Sequence, residues 1–497
     1  MTNPFDAAVS GRREFIRGLS AGASALVLGF SPEARAWCTD KHTNRGAFRA
    51  LPRLDGELVL DEASTAAVSA DLGLLEVQTP VAVLRPGSVE DVVRMVKFCN
   101  KHDIAVAARG QGHATNGQAL VEAGLIIDLR TLNRILEVGE GYAVVEGGTT
   151  WRAVLEQTLL TSQTPPVLTG YIGLSVGGTL SMGGFNGMSY RHGAQVDHAL
   201  ELSVVTGEGK LVHCSETCDS QLFLAVLAGI GQYGIIVGAK LRLVPAKERA
   251  IEWNSPYSDT KVFFKDMRKL VARAEIDLIR ASVVFDPITN APVYSLNTIQ
   301  YYDAATPPDF ERLHRGLHIA PGSTVSTDRT YYDFTIVLDN VVDFLRSIGQ
   351  FEGQMHPWFD VFVPDPESES FISGTIAALT AEDVGTFGQV LLFPVVPAAI
   401  KRPLLRLPEG ELVFLFDLLT QANFPGFDAT YAERMQSRNR ELFERAKAIG
   451  GKRYPIGTLD FDKHDWRKHY GSLWGKAQSA KNRFDPKNLL TPGPKIF

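Results

Sequence analysis

The alternation of apolar and polar positions sharpens at Pro80. Val81-Ala82-Val83-Leu84 is a short apolar run between prolines and reads as a strand. Ser88-Val89-Glu90-Asp91 has the form of a capping box, with Ser88 as the N-cap. Val92, Met95, Val96 and Cys99 then recur at i, i+3, i+4 and i+7, which predicts an amphipathic helix. Ile104 to Ala108 predicts the next strand. Further strands are expected at Ile126–Leu129 and Ala143–Glu146, and a helix from Thr149 to Leu159. Leu200–Val205 and Lys210–His213 predict a hairpin around Gly207-Glu208-Gly209. Phe223 to Leu227 is helical, and an apolar strand ends near Val244.

After Pro245 strands alternate with longer amphipathic helices, and prolines punctuate the loops near Pro307, Pro321 and Pro364. The chain therefore divides into a first unit at 37–247, a second at 248–445, and a tail at 446–497 expected to return to the first. The fold class is α+β.

Composition changes this picture little. The 497 residues are 45% hydrophobic and 21% charged, which suits two large globular domains. A net charge of −6 leaves no basic footprint, so nucleic acid is not an expected partner. Cys38, Cys99, Cys214 and Cys218 lack metal-ligand spacing. Cys214 and Cys218 could form a local disulfide or remain thiols; thiols are favoured.

The N-terminus adds an address. Arg12-Arg13-Glu14-Phe15-Ile16 precedes an apolar run from Leu19 to Phe30, and Ala34-Arg35-Ala36 offers a small-x-small cleavage site before Trp37. Residues 1–36 resemble a twin-arginine export signal. The resemblance implies the twin-arginine export machinery as a partner, a bacterial source, and a periplasmic or secreted mature protein. The apolar run is too short and too rich in glycine and alanine to be a stable anchor, so no membrane span is expected. Because this route carries folded proteins, it fits a cofactor loaded before export.

The chemistry concentrates in Arg109-Gly110-Gln111-Gly112-His113-Ala114-Thr115-Asn116-Gly117-Gln118-Ala119. Glycines and small polar residues let backbone N–H groups approach a diphosphate. Thr115 occupies the third glycine position of G-x-G-x-x-G, so the loop is not the doubly wound dinucleotide type. It is either a glycine-rich surface turn with a solvated histidine or a cofactor loop with His113 turned inward. The second form resembles the flavin-anchoring loop of the vanillyl-alcohol-oxidase-type flavoproteins, whose histidine commonly bonds to the flavin 8α-methyl group.

A second glycine-rich run, Gly173 to Phe185, continues through Asn186-Gly187-Met188-Ser189-Tyr190-Arg191-His192-Gly193-Ala194-Gln195. With Gly229 to Ile236 it is similar to the flavin domain of cytokinin dehydrogenases. Thr327-Asp328, Tyr332-Asp333-Phe334, His356-Pro357-Trp358-Phe359-Asp360 to Pro364, and Gly388 to Pro394 are similar to that family's substrate domain. Phe484-Asp485-Pro486 to Lys495-Ile496-Phe497 is similar to its C-terminus. The resemblance spans almost the whole chain after Trp37. It implies a two-domain PCMH-type FAD-binding fold with an α+β substrate-binding domain at 248–445.

The resemblance also implies roles. His113 would hold FAD covalently. Gly110, Gly112, Ala114 and Gln118 would line the diphosphate and ribityl chain. Tyr171, Ser175, Gly178, Ser181, Phe185 and Ile236 would wrap the rest, and Gln111 and Tyr454 belong to the same cofactor set. Some related flavoproteins add a cysteinyl link at the position of Tyr171. No cysteine lies nearby, so a single link is expected. Trp358 would be a substrate-pocket aromatic, or else a buried core tryptophan.

Two departures from the family matter. Its aspartate before the second-loop tyrosine, which takes the substrate amine proton, is Gly170 here. Its glutamate at the pocket entrance, after an apolar-Asp-apolar-apolar pattern, is Arg280 after Ile276-Asp277-Leu278-Ile279. Both changes remove negative charge and predict a pocket for an anionic or strongly hydrogen-bonding substrate. If side chains alternate from His356 to Phe362, then His356, Trp358 and Asp360 share a face. Asp360 is then a replacement base, unless it pairs with an arginine at a solvated rim. Tyr190 and His192 are further candidates, though their run is better placed to pack against the flavin.

The expected catalytic set is Asp360, Trp358 and Arg280. The expected reaction passes hydride from a carbon bearing nitrogen or oxygen to flavin N5, with oxygen or a quinone as final acceptor. Three functions stay open: oxidation of a small alcohol, sugar, phenolic or amine; oxidation of N6-substituted adenines; and flavin binding without useful turnover.

Overall fold

The computed structural model describes residues 27–31, 36–39, 49–285 and 291–497. The Arg12-Arg13 pair and most of the expected cleavage site lie outside the described residues.

The apolar pattern after Pro80 folds as its period dictates. Val92, Met95, Val96 and Cys99 are all buried beneath the helix Val89–His102. Ser88 caps it by accepting the Asp91 N–H at 3.3 Å. Asp91 does not close the box. Its carboxylate accepts the N–H groups of Asp55 and Gly56 at 2.8 Å and of Gly87 at 2.9 Å, tying the lead-in to the helix start. The strand before the helix is Ala82–Arg85 and the one after it is Val106–Arg109.

Three large sheets carry the architecture. The first is four-stranded, in the order Glu57–Val59, Ala82–Arg85, Leu125–Asp128, Val106–Arg109, and its last two pairings are parallel. The second is five-stranded and antiparallel. It runs Leu211–Ser215, Ala199–Val205, Ile235–Arg242, Tyr142–Glu146, Ile135–Gly139, and includes the predicted hairpin. The third is eight-stranded, in the order Val325–Thr330, Arg249–Tyr257, Pro292–Tyr302, Leu278–Phe285, Gln389–Val395, Val413–Leu419, Phe359–Pro364, Lys452–Arg453. Both faces of Val413–Leu419 are covered, so it is apolar at nearly every position. Among the described residues no helix is long and apolar enough to cross a membrane. Cys99, Cys214 and Cys218 are free thiols.

The tail docks on the first sheet. Leu490 bridges to Val106, and Thr491 N–H donates to Val106 at 2.8 Å. A buried ion pair organises this return. Lys481 Nζ lies 2.9 Å from Asp485 Oδ2 and also donates to the Gln232 and Leu490 carbonyls at 2.9 and 3.2 Å. Asp485 accepts the Leu489 and Leu490 N–H groups at 3.1 and 2.8 Å. Every member of the cluster is partnered, which is the condition under which buried charge is tolerated.

Asp71 fixes the loop after Val106–Arg109 in a similar way. Leu72 and Gly73 N–H groups donate to Gly112 and Ala114 at 3.0 and 3.2 Å, and Asp71 Oδ2 accepts Gly117 N–H at 2.7 Å. Burial raises the Asp71 carboxyl from 3.8 to about 7, against the Gly117 hydrogen bond and the Arg109 charge.

Two predictions follow from these buried carboxylates. Lys481→Met leaves Asp485 without its cation and should cost about 3–5 kcal/mol in chemical denaturation. A loss below about 1 kcal/mol would mean that the tail is held by packing alone. For Asp71 the folded pKa exceeds the unfolded one, so stability is full below pH 4 and is lost as pH rises toward about 7. Asp71→Asn removes that loss. Its melting temperature should match wild type near pH 4 and exceed it at pH 8, and a constant difference across that range would contradict the shift.

Candidate active site

The parallel strand Val106–Arg109 ends in the glycine loop, and the loop forms one wall of a cavity of about 580 Å³. Gly110, Gln111, Gly112, His113, Ala114 and Gln118 all line it. Gly112 holds φ at +70°, and a Cβ there would press on the Arg109 guanidinium at 2.4 Å, so only glycine fits the turn. The loop is not a solvated surface turn. Thr115 is fully buried, and its hydroxyl donates to the Ile456 carbonyl at 2.5 Å. Gln118 Nε2 donates to the Pro455 carbonyl at 2.9 Å, and the Thr458 hydroxyl donates to the Thr115 carbonyl at 2.8 Å. The threonine that breaks the dinucleotide fingerprint is thus the residue that fastens the loop.

His113 turns into the cavity, enclosed by aromatic rings. Tyr171 lies 5.3 Å away, Trp358 5.3 Å away edge-on, and Phe351 6.0 Å away and stacked. Burial, with the like charges of His356 and Arg346, lowers its pKa from 6.5 to about 3. The imidazole is neutral at any working pH and keeps a free nitrogen lone pair. Arg346 donates to Tyr171 Oη at 3.1 Å and stacks on Tyr171 and Phe351.

The second glycine run supplies the opposite wall. Tyr171, Ser175, Gly178, Ser181, Phe185, Ile236 and Tyr454 all line the same cavity. A Cβ on Gly110 or Gly178 would come within 2.1 or 2.9 Å of Ser175 Oγ, so the two loops meet where only glycine fits. Tyr454 Oη accepts Gly184 N–H at 3.0 Å, and its ring meets Phe185 edge-on at 5.3 Å. Bare glycine backbone, an apolar ring-sized slot and a neutral imidazole together fit FAD.

The substrate end joins the two halves of the chain. Leu338, Val342 and Leu345 of the helix Val337–Ser347 close one side, with Leu391, Phe393, Leu415 and Leu419 of the large sheet opposite. Trp358 lines this end and is not a plain core residue. Gly170 lies in the wall. A Cβ there would meet only Leu338 Cδ2, at 3.4 Å, so the missing carboxylate left space.

Two expectations about catalytic residues change. Arg280 is absent from the cavity wall. Ser282 stands across from Leu391, so Arg280 lies one strand and two positions outward. It donates to Glu252 Oε1 at 2.8 Å, which neutralises its charge. The inference of a cationic pocket for an anionic substrate falls with it. Asp360 is buried, not at a solvated rim, and among the described residues no arginine bonds it. It lies on the same sheet face as Asp417 but one strand beyond it, beside Gly457, and the cavity stops short of it. The wall carboxylate is Asp417, directly opposite Asp360. One signal could have found it: Asp417 is the lone charge in Val413-Phe414-Leu415-Phe416-Asp417-Leu418-Leu419. Tyr190 and His192 lie outside the wall; Tyr190 bonds the Ile276 carbonyl instead.

Comparison with known proteins agrees with this geometry. Residues 80–215 match the family described as an FAD binding domain, and residues 266–497 match the one described as cytokinin dehydrogenase 1, FAD and cytokinin binding. An uncharacterized oxidoreductase of the fasciation locus of Rhodococcoides fascians is 34% identical, over 87% of this chain and 97% of that protein. Cytokinin dehydrogenase 4 of Arabidopsis thaliana is 31% identical, over 88% and 92%. In fold, 6-hydroxy-D-nicotine oxidase of Arthrobacter nicotinovorans superposes with a TM-score of 0.69 at 18% identity, covering 90% of this chain and 99% of that one. A chitooligosaccharide oxidase superposes with a TM-score of 0.71 at 17% identity, covering 89% and 97%. The chain is an FAD-dependent oxidoreductase with the two-domain PCMH-type fold, and it belongs to the cytokinin dehydrogenase family.

Proposed function

We propose that this enzyme oxidises a C–N or C–OH bond of a small, largely apolar organic substrate, using FAD held covalently by His113. One observation carries the reading: a single cavity has the His113 loop at one end and the Trp358 and leucine cage at the other. Bound there, FAD would supply a hydride acceptor at N5, reoxidised by oxygen or a quinone-like acceptor. The chain's own residues divide the remaining work. The glycine loops bind, the leucines and Phe393 exclude water, and Trp358 offers a flat face to an unsaturated substrate.

A second reading, oxidation of N6-substituted adenines, is favoured by the match of 266–497 to a cytokinin-binding family and by the absence of Arg280 from the wall. The signal-like N-terminus extends the proposal to export, with a periplasmic or secreted mature chain starting near Trp37. N-terminal sequencing of the exported protein checks this.

His113→Ala should leave protein whose FAD is released completely by acid denaturation, while wild type stays coloured. Release of all FAD from wild type would remove the covalent assignment. Anaerobic bleaching of the flavin band, with isopentenyladenine against a panel of alcohols, sugars, phenolics and amines, decides the substrate. Bleaching by none of them would leave a flavin-binding protein without turnover. Gly170→Asp tests the second reading. The vacant Cβ direction admits the side chain, and isopentenyladenine bleaching should rise by about 10²-fold if a positioned base is gained. An unchanged rate with full FAD content would show that another group already takes the proton.

A further inference from the structure

The strand Val413–Leu419 places one charge in an otherwise apolar row, and that charge meets another of the same sign. Asp417 is registered against Asp360 on one side and Leu391 on the other. Directly opposed residues on antiparallel strands project to one face, so the two carboxyl groups confront each other. Asp360 is 3% exposed and Asp417 6%. Both oxygens of Asp360 and Oδ1 of Asp417 have no donor among the described residues. The charged and titratable neighbours do not supply one. Arg453 is registered with Val361, on the other face of Phe359–Pro364. It donates to the Gly457 carbonyl at 3.0 Å and stacks on Phe461 and Trp466. Tyr454 Oη accepts the Gly184 N–H. Leu391 carries no charge.

Two ionised carboxylates cannot both persist in such a site, because Coulomb repulsion adds to desolvation. One shared proton removes the repulsion and supplies the missing donor. The pair then keeps one negative charge, and the member that reaches the cavity is Asp417. Burial raises Asp417 to about 7, opposed by the hydrogen bond from Asp360. Burial and the Asp417 charge push Asp360 much further up. Asp360 is shut off from the cavity and Asp417 opens onto it, so the proton belongs on Asp360 and the charge on Asp417.

We propose that Asp417, held by a protonated Asp360, is the general base that takes the heteroatom proton of the substrate in place of the carboxylate absent at Gly170. The inference rests on the substrate oxidation proposed above. In a substrate H–C–X–H, with X nitrogen or oxygen, the C–H bond breaks and its electron pair leaves as hydride to FAD. The X–H bond breaks, its proton passes to Asp417, and a C=X bond forms. The substrate loses two electrons and FAD gains them; Asp417 returns its proton to solvent after the product leaves. Asp360 is a positioning residue, since it acts through Asp417. A lone anionic base in an apolar cage accepts neutral or cationic donors and repels carboxylates.

The pair can be read without turnover. Infrared titration of the holoenzyme from pH 5 to 9 should show, in wild type, a buried carboxylic-acid C=O band that persists at pH 9, where Asp71 has ionised. The double variant Asp360→Asn, Asp417→Asn should lack it. No such band in wild type, or a band unchanged in the double variant, overturns the shared proton.

Catalysis is read by anaerobic bleaching with isopentenyladenine and with 4-hydroxybenzyl alcohol as probes. Asp417→Asn should slow the active probe by about 10²-fold or more with FAD content unchanged. Asp360→Asn keeps a donor to Asp417 and should hold the midpoint of the pH profile. Asp360→Leu removes the donor and should move the midpoint upward. A wild-type rate in Asp417→Asn, or an unmoved midpoint in Asp360→Leu, overturns the base assignment. Bleaching of wild type by neither probe counts against the substrate class and leaves the infrared band to decide the pair.

Discussion

Residues more than three hundred positions apart make the site, and one short clamp joins them. The His113 loop is fastened to 455–458 by the Thr115 hydroxyl, the Gln118 amide and the Thr458 hydroxyl. Each bond pairs a buried group that would otherwise cost about 1–3 kcal/mol unsatisfied. The same segment carries Tyr454 and follows Lys452–Arg453, the outer strand of the large sheet. The clamp therefore sets the glycine loop against the sheet that bears Trp358 and Asp417. Without it the cavity would lose one wall relative to the other. The Lys481–Asp485 pair holds the following tail against the first sheet and closes the same circuit.

Local order was legible where the chain repeats a simple period. The helix after Ser88, the parallel strands beside it and the hairpin at Gly207 follow from burial periodicity and turn residues, and they deliver His113 to the cavity. The cofactor wall was legible because glycine runs are rare and positionally constrained. Register across the large sheet was not. Arg280 and Asp417 each follow an apolar stretch, and whether such a charge faces a cavity depends on which strands come between. Ser282 opposite Leu391 sends Arg280 outward to Glu252, while Asp417 opposite Leu391 stays inside. Long-range pairing decides this, and a single strand's period carries no information about it. Asp360 is a smaller case: it shares a sheet face with Asp417 but lies one strand further from Leu391, so the cavity stops short of it.

The charge pattern of the cavity then has a single physical logic. Burial makes His113 neutral, and Glu252 cancels Arg280 outside the wall. Apolar side chains line most of what remains. In such surroundings one uncompensated negative charge is worth far more than it would be in water, both as an attractor of protons and as a barrier to anions. The sequence departure at Gly170 moves the carboxylate to a new place without removing it. A loop carboxylate adjusts with its loop. A carboxylate on a central strand of an eight-stranded sheet is fixed by its hydrogen-bonded neighbours on both sides, so its distance to the flavin wall is set by the fold itself.

That relocation bears on specificity as well as proton transfer. A base on Gly170 would approach the substrate from beside Leu338, on the helix side; Asp417 approaches from the sheet side, between Leu415 and Leu419. The two positions demand different orientations of the X–H bond for the same C–H bond to face the flavin. A substrate suited to one would misalign with the other by more than proton transfer tolerates, since rate falls steeply with small displacements of reacting groups. The same flavin frame can thus serve different substrates within one family by moving a single charge across the cavity.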